Sequence, residues 1–427
     1  MRLTDHVLSL LLVPIIVHAS AKKNTVLLIH SVDEPTHLKS LFERSGLELN
    51  RIIASKNYNE QDHHLIDPYG DGRFFDNLLL MVGQLPKKLS SEELVEFVRR
   101  GGNIFWALPS GLKILDQRTI AAAREFGRVL DEVPAKLHDY FGDTNAKEVV
   151  ADPRIVRARA VKDTTGRIIQ SADLYDVSNA GWIGTSHRLD IDNPLVFPIL
   201  TASTRAYASC TTEASPSSGR CNPTYGTDNI LASALETRIS SRVTILAGDN
   251  LLRSERVPKF IEELLSWTFQ ESGMLRATVE HHKLLSDPSL RQEGYRVGDR
   301  MEVRVCVTLQ KSQTTNNTPF QPNDMQVELR LMETMVRVDL IPTPDGCLTS
   351  GVIQLPSKHG IYTLAIRYQR RGYSHFIHNE RIVIRTLKHD EYPRVKYAAT
   401  PYYIAWLLLL SASGLMLYPL IYPTPSK

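Results

Sequence analysis

The chain has 427 residues, of which 42% are hydrophobic, and a formal net charge of +3. This length and composition are sufficient for two or three domains with proper cores. Lysine and arginine are scattered along the sequence, which excludes the basic stripe expected of a nucleic-acid-binding protein. The four cysteines all follow residue 209, and in an oxidising compartment an even number suggests disulfides.

The first 21 residues have the pattern of a secretory signal peptide. Arg2 precedes an apolar stretch at 7–17, which is too short to span a bilayer. Small residues at 19–21 have the spacing of a signal-peptidase site. We therefore expect a removable signal, with the mature chain beginning near Lys22. A buried N-terminal helix is the alternative, but the abrupt change to two lysines argues against it.

Residues 22–273 are predicted to form an α/β domain. Short apolar runs without alternation are typical of strands buried on both faces, and they occur at 25–29, 51–54, 77–82, 103–108 and 243–247. Helices are predicted at 37–45, 91–100, 230–239 and 257–270, the second of them capped by Ser90 or Ser91. Strands alternating with helices predict a parallel sheet covered on both faces, as in flavodoxin-like or amidotransferase-like folds.

The stretch at 140–228 is mixed in character and includes a loop insertion near 205–228. Cys210 and Cys221 bracket a segment rich in Ser, Thr and Pro, so a bond between them would close an exposed loop. Of the three ways to pair four cysteines, we favour Cys210–Cys221 and Cys306–Cys347, because each pair lies within one region of the chain.

From 274 to 388 the pattern changes to short alternating segments separated by turn signals. Such segments occur at 301–305, 326–330, 362–368 and 381–385. The pattern predicts an antiparallel sandwich of about immunoglobulin size. The single glycosylation sequon begins at Asn316, in a polar turn of this region, and we expect it to carry a glycan.

The sequence contains no recognisable catalytic constellation. Ser110 follows a strand but lacks the G-x-S-x-G elbow, and no cysteine that could serve as a nucleophile precedes residue 210. Ser186, His187 and Asp190 have the letters of a triad, but such close neighbours cannot easily converge. The histidines at 63–64, 281–282 and 375/378 are better explained as solvated or packed side chains. We predict neither a cofactor nor a metal site, and this absence favours a binding or scaffolding role.

An uncharged run from Tyr402 to Tyr422 predicts a transmembrane helix at 401–422. Its 21 residues would reach roughly 31 Å, with aromatic residues at both ends. A juxtamembrane linker at 389–400 precedes it and a short cytosolic tail at 423–427 follows it. Basic residues are more frequent on the lumenal side, so the N-terminal signal must set a type I orientation. A glycolipid-anchor signal and a tail anchor are the minority alternatives, because the first lacks its polar spacer and the second would lack the N-terminal signal.

Small residues in this helix are candidates for packing against another helix. Ala405 and Ala412 lie seven residues apart on one face, and Ser411 and Gly414 add small or hydrogen-bonding positions. The alternative is a helix that contacts lipid alone.

Five stretches carry a family resemblance: 76–82 (DNLLLMV), 91–110 (SEELVEFVRRGGNIFWALPS), 193–207 (NPLVFPILTASTRAY), 359–376 (HGIYTLAIRYQRRGYSHF) and 389–403 (HDEYPRVKYAATPYY). Their order, and the juxtamembrane block above all, resembles the family of 48 kDa subunits of dolichyl-diphosphooligosaccharide–protein glycosyltransferase. These are non-catalytic subunits of the oligosaccharyltransferase complex of the endoplasmic reticulum (ER). The resemblance extends from about Thr25 into the membrane helix.

This resemblance implies an assembly role in protein N-linked glycosylation. The family's complex transfers an oligosaccharide from dolichyl diphosphate to asparagine in N-x-S/T sequons, and a separate multispanning subunit performs catalysis. The chain is then expected to be a single-pass type I protein of the ER membrane. Its partners would be the other subunits, including the catalytic one, and the dolichol-linked oligosaccharide. The chain departs from the pattern of this family in two respects. Its tail lacks a dilysine retrieval signal, and the Cys210–Cys221 loop looks like an insertion.

Two other classes of protein are also compatible with the sequence. One is a lumenal amidotransferase-like hydrolase that uses the α/β cleft, which predicts activity in the lumenal fragment. The other is a type I cell-surface binding protein built on the sandwich, which predicts localisation at the plasma membrane.

Overall fold

The computed structural model of the protein describes residues 25–30, 42, 48–54, 58, 64–67, 72–112, 114–139, 156, 158–161, 168, 182, 184–190, 192–209, 223–253, 258–284, 294–310, 318–392 and 397–422. Several predicted features lie outside these residues: the signal peptide, most of the helix at 37–45, Cys210, Cys221, Asn316 and the tail at 423–427.

The N-terminal part of the chain forms an α/β body. Its strands are β1 (Thr25–His30), β2 (Glu48–Ala54), β3 (Asn77–Met81), β4 (Asn103–Ala107), β5 (Arg128–Val129), β6 (Lys136–His138), β7 (Ala158–Ala160), β8 (Arg188–Leu189), β9 (Val196–Ala202), β10 (Tyr207–Ser209), β11 (Thr224–Tyr225), β12 (Ile230–Glu236) and β13 (Arg242–Leu246). Its helices are α1 (Ser91–Arg99), α2 (Gln117–Glu125), α3 (Asn250–Arg253) and α4 (Pro258–Thr268), and a 3₁₀ turn spans Gly226–Asp228.

Eight of these strands form one mixed sheet in the order β2-β1-β3-β4-β13-β12-β9-β7. The first five strands pair in parallel, whereas β12, β9 and β7 pair antiparallel. The prediction of a parallel sheet is therefore correct for one part of the sheet and wrong for the other. Small sheets of β11-β10-β6 and β5-β8 accompany it.

The prediction of a helix at 230–239 is wrong, because Ile230–Glu236 is a strand. All seven residues of β12 are buried, and the strand is hydrogen-bonded to neighbours along both edges. A run that is buried on both faces shows no polar stripe, so periodicity alone does not distinguish helix from strand. The chain then reverses through Ser240, whose φ is 66°, and returns as β13.

The sheet is covered on both faces, as predicted. Along β4, Ile104 and Trp106 belong to one apolar core and Phe105 belongs to the other. Helices α1 and α2 pack on the first face and α4 on the second. Ser90 caps α1, since its Oγ accepts the backbone N–H of Glu93 at 3.1 Å.

The second part of the chain is rich in β-structure. Its strands are β14 (Met274–Leu284), β15 (Tyr295–Arg296), β16 (Arg300–Gln310), β17 (Thr318–Pro319), β18 (Gln326–Arg330), β19 (Thr334–Asp339), β20 (Ile341–Pro342), β21 (Leu348–Gln354), β22 (Gly360–Tyr368) and β23 (Phe376–Arg385). One sheet has the order β14-β16-β21-β20, with β17 paired to β16. The other sheet has the order β15-β23-β22-β18-β19. Both sheets contribute to one core, so the layers form a sandwich.

A disulfide joins Cys306 to Cys347 within this sandwich. Cys306 lies in β16 and Cys347 directly precedes β21, the neighbouring strand in the same sheet. The bond therefore links two adjacent strands and closes a loop with a sequence separation of 41.

Within the part of the chain that the structure describes, one helix is long and apolar enough to cross a membrane. Helix α5 spans Thr400–Ile421, and its described residues are exposed along the whole length. Two 3₁₀ turns, His389–Glu391 and Tyr397–Ala399, lie in the linker that precedes it.

Candidate interaction sites

The carboxyl ends of the parallel strands are the expected place for a catalytic site. Ser110 follows β4, and both its backbone N–H and its hydroxyl donate to Asp249 Oδ1, at 3.0 and 2.7 Å. Asp249 follows β13, so this contact ties together two loops at the same edge. A nearby hollow, lined in part by Leu108 and Leu112, has a volume of about 10 Å³, which holds about one water molecule. The contact between Ser110 and Asp249 therefore stabilises the two loops.

The structure does not bring Ser186, His187 and Asp190 together as a triad. The Ser186 hydroxyl is 2.9 Å from Asn229 Oδ1, and the Asp190 carboxylate accepts the backbone N–H of Asp192. His187 points elsewhere, into the body, with Nε2 2.7 Å from Ser233 Oγ.

His187 belongs to a buried polar network with Arg128 and Ser233. The Arg128 guanidinium donates to Ser233 Oγ at 3.0 Å and to the carbonyls of Phe126 and Val243. The Ser233 hydroxyl therefore bridges the Arg128 guanidinium and the His187 imidazole. Burial, reinforced by the charge of Arg128, lowers the pKa of His187 to about 3, so the imidazole is neutral at pH 7.

This network predicts acid sensitivity. An unfolded chain binds a proton at His187 below about pH 6.5 whereas the folded chain does not, so stability falls as pH decreases. Between pH 7 and pH 5 we expect the free energy of unfolding to fall by about 2 kcal/mol from this group. Denaturant titrations of His187→Gln should show a shallower pH dependence by that amount. Parallel pH profiles for the variant and the wild type would contradict the assignment.

A buried ion pair stabilises the end of the β12–β13 hairpin. Arg242 Nε lies 3.2 Å from Glu236 Oε1, and both side chains are almost fully buried. The same guanidinium donates to the carbonyls of Trp267, Ser272 and Gly273 at 2.6 to 3.1 Å and stacks on the Trp267 ring at 4.4 Å. Burial raises the pKa of Glu236 and lowers that of Arg242, and each charge partly offsets the shift of the other.

The loop between β22 and β23 contacts the α/β body at this point. Trp267 Nε1 donates to the Gly372 carbonyl at 2.9 Å, and the backbone N–H of His375 donates to Ser240 Oγ at 3.1 Å. Gly273 has a φ of +71°, and a Cβ there would lie 2.9 Å from the Gly372 carbonyl. Two backbones therefore approach closely between the body and the sandwich, which glycine permits.

The sandwich histidines are engaged with other polar side chains. His281 is 2.7 Å from the Tyr295 hydroxyl and 3.1 Å from Glu380, and His378 is 3.4 Å from the same carboxylate. Hydrogen bonds from both imidazoles, with His281 the stronger contributor, lower the pKa of Glu380 against the opposing effect of burial. His375 lies apart from His378, in the loop that contacts the α/β body.

An ion-pair clasp holds the juxtamembrane linker to the sandwich; we define it as Arg296, Arg385 and Glu391. Arg385 at the end of β23 donates two bonds of 2.8 Å to the two carboxylate oxygens of Glu391, and Arg296 adds a contact at 3.3 Å. The bonds from Arg385, together with the Lys388 backbone N–H, hold the pKa of Glu391 well below its usual range. This clasp was not predicted from the sequence, although one of its members, Glu391, lies in the HDEYPRVK block.

The small residues of α5 are distributed around the helix. Ala405 and Ala412 lie on one side, whereas Gly414, nine residues after Ala405, lies half a turn away. The hydroxyls of Ser411 and Ser413 donate to the carbonyls of Leu408 and Leu410 within the helix, at 2.8 and 2.9 Å. The surface most open to a close helix contact is therefore the one centred on the two alanines.

Comparison with known proteins matches almost the whole chain. The family model described as "OST48, N-terminal domain" matches residues 16–271, and that of the "OST48 middle domain" matches residues 281–423. The subunit wbp1 of dolichyl-diphosphooligosaccharide–protein glycosyltransferase from Schizosaccharomyces pombe is 28% identical, over 92% of this chain and 90% of that protein. The 48 kDa subunit from Drosophila melanogaster is 27% identical over 89% of this chain and 87% of that protein, and the one from Arabidopsis thaliana is 28% identical over 92% and 94%.

Proposed function

This chain belongs to the OST48 family, and we propose on that basis that it is a non-catalytic, membrane-anchored subunit of the oligosaccharyltransferase complex. In this role it supports the transfer of oligosaccharide from dolichyl diphosphate to asparagine during protein N-linked glycosylation. The observation that carries the proposal is the pair of family matches, which together extend over the α/β body, the sandwich and α5.

The interior of the chain is consistent with a structural role. Ser110 and His187 are both committed to bonds that stabilise the α/β body. An amidotransferase-like hydrolase would instead need such groups to converge on a substrate-sized space. We further propose that the sandwich and the α/β body lie in the ER lumen and that α5 spans the membrane in a type I orientation. Its contacts would include the multispanning catalytic subunit, and the dolichol-linked oligosaccharide would be bound nearby.

The division of the chain follows the same proposal: a lumenal α/β domain at 22–273, a sandwich at 274–388, a linker at 389–400 and a span at 401–422. The order of the five parallel strands, β2-β1-β3-β4-β13, supports a likeness to flavodoxin-like folds. Two sheets around one core, antiparallel except for the parallel pairing of β15 with β23, support the likeness to an immunoglobulin sandwich.

Affinity purification of the full chain in mild detergent tests the proposal. We expect the other oligosaccharyltransferase subunits to co-purify, and secretory glycoproteins to be underglycosylated when the chain is depleted. A Ser110→Ala variant should restore glycosylation in depleted cells as well as the wild type does. Isolation without a multispanning glycosyltransferase subunit would favour an independent enzyme. The same holds for a Ser110→Ala variant that still co-purifies with the other subunits but does not restore glycosylation.

Bulky replacements at Ala405 and Ala412 test whether α5 packs against another helix. We expect Ala405→Leu combined with Ala412→Leu to reduce recovery of partner subunits about fivefold to thirtyfold, because close helix contact contributes about 1–2 kcal/mol. Membrane extraction should be unchanged. Leu407→Phe, on the opposite side of the helix, is the control and should leave recovery intact. Equal recovery for all variants would show that α5 serves as an anchor only.

A further inference from the structure

The outer face of β22 and its neighbours forms a groove lined by arginines. Tyr362, Leu364 and Ile366 point into the sandwich core, so Thr363, Ala365 and Arg367 lie on the opposite, outward side of β22. The groove is defined here by these last three residues together with the cross-strand residues Arg330 of β18 and Asn379 and Arg381 of β23.

This groove adjoins the cleft between the sandwich and the α/β body. The hollow over the sheet has a volume of about 450 Å³, and the cleft has a volume of about 600 Å³. The two share Arg367, and the cleft adds Arg370 and Arg371. Two open hollows that meet at Arg367 suit an extended segment of polypeptide better than a small compact ligand.

The charges in the groove are unevenly balanced. Arg330 pairs with Glu328, and Arg370 is 2.6 Å from Asp324. Among the residues that the structure describes, Arg367 and Arg381 form no ion pair. Glu328 pairs across the strands with Ala365, but its carboxylate is engaged by Arg330 and Arg337. The carboxylate in the lining of the cleft, Glu236, is bonded to Arg242. Two exposed guanidinium groups therefore lack a counter-charge.

The spacing of these two arginines matches an extended peptide. Arg381 is paired across the strands with Thr363, and Arg367 follows Thr363 by four residues on the same face. Four residues of a strand correspond to roughly 13 Å. Acidic side chains at positions i and i+4 of an extended segment have the same spacing and the same side. Between the two arginines the floor of the groove is formed by Thr363, which is half-buried, and Ala365, which is buried.

We propose that this groove binds an extended acidic segment of another subunit of the same complex. The inference rests on the proposed function for the existence of such a subunit. Arg367 and Arg381 each form charge-assisted, bidentate hydrogen bonds with a carboxylate of the segment, a geometry for which guanidinium groups are suited. Ile377, which is 57% exposed and pairs with Arg367 across the strands, provides an apolar contact beside the charged one.

A photoreactive benzoylphenylalanine at position 377 of the full chain tests this groove in the intact complex. The matched control is the same substitution at Val352, which is 63% exposed and lies on β21 of the other sheet. After irradiation and purification, mass spectrometry identifies the cross-linked segment. The charge dependence is measured with Arg367→Glu combined with Arg381→Glu, and Arg276→Glu on β14 is the control for added negative charge.

We expect a cross-link from position 377 to an acidic segment of another subunit, with none to that segment from position 352. The double charge reversal should reduce this cross-link at least tenfold, whereas Arg276→Glu should leave it unchanged. Lysine replacements in the identified segment should restore it. A cross-link to lipid, to glycan or to a second copy of this chain would overturn the inference, as would no cross-link or one that survives charge reversal. Co-purification of the other subunits in those cases would leave the proposed function intact.

Discussion

Replacing Arg242 with methionine is expected to lower the free energy of unfolding of the α/β body by about 3–5 kcal/mol. The substitution leaves the buried Glu236 carboxylate without its counter-charge. It also removes the hydrogen bonds that the carbonyls of Trp267, Ser272 and Gly273 accept. A buried charge or carbonyl without a partner costs more than the original bond contributed. Guanidinium titrations followed by tryptophan fluorescence measure the effect.

The fluorescence signal is informative because three of the four tryptophans, Trp106, Trp182 and Trp267, are buried in the α/β body. The double variant Arg242→Met with Glu236→Leu is the control, since it removes both charges together. We expect it to recover a large part of the lost stability. Equal destabilisation by the single and double variants would show that the carbonyl contacts, and not the ion pair, account for the loss.

Removing the Cys306–Cys347 disulfide is expected to destabilise the sandwich by about 4 kcal/mol. The loop has a sequence separation of 41, and the loop-entropy relation for that length gives about this value. The variant Cys306→Ala combined with Cys347→Ala avoids a leftover thiol. We expect its far-UV circular dichroism to show an earlier unfolding transition for the sandwich.

The same variant should leave the tryptophan fluorescence transition almost unchanged, because the described part of the sandwich contains no tryptophan. This difference separates local destabilisation of the sandwich from a general effect. A fluorescence transition that moves together with the dichroism would mean that the two parts of the chain unfold as one unit. If the free energy of unfolding measured by dichroism falls by less than about 1 kcal/mol, the loop-entropy explanation is contradicted.

Much of the fold could be predicted from hydrophobic patterning. The buried runs that became β3, β4 and β13 are bounded by polar or turn residues, and α1 begins at a serine cap that the sequence displays. The helix prediction at 230–239 was wrong for a physical reason. Its apolar residues face two cores at once, and only the pairing with β9 and β13 decides that it extends.

The candidate sites were less predictable, because they depend on which strands are neighbours. Arg242 and Glu236 are six residues apart, and a helix at this position would not have placed them at the end of one hairpin. The alternation in β22 assigns Arg367 to the outer face, but the cross-strand position of Arg381 depends on the register of β22 and β23. The disulfide between Cys306 and Cys347 could be predicted because both cysteines lie in the same region of the sequence.

The ion-pair clasp at Glu391 sets the length of the tether between the sandwich and the membrane. With Glu391 held by Arg385, the backbone from Tyr392 to Tyr397 covers five peptide steps, a reach of roughly 18 Å at most. If the clasp opened, the tether would begin at Arg385 and could extend to roughly 40 Å. One bidentate ion pair thus more than halves the maximum height at which the sandwich stands above the start of α5. The sandwich is thereby held nearer to the start of α5 than the length of the linker alone would require.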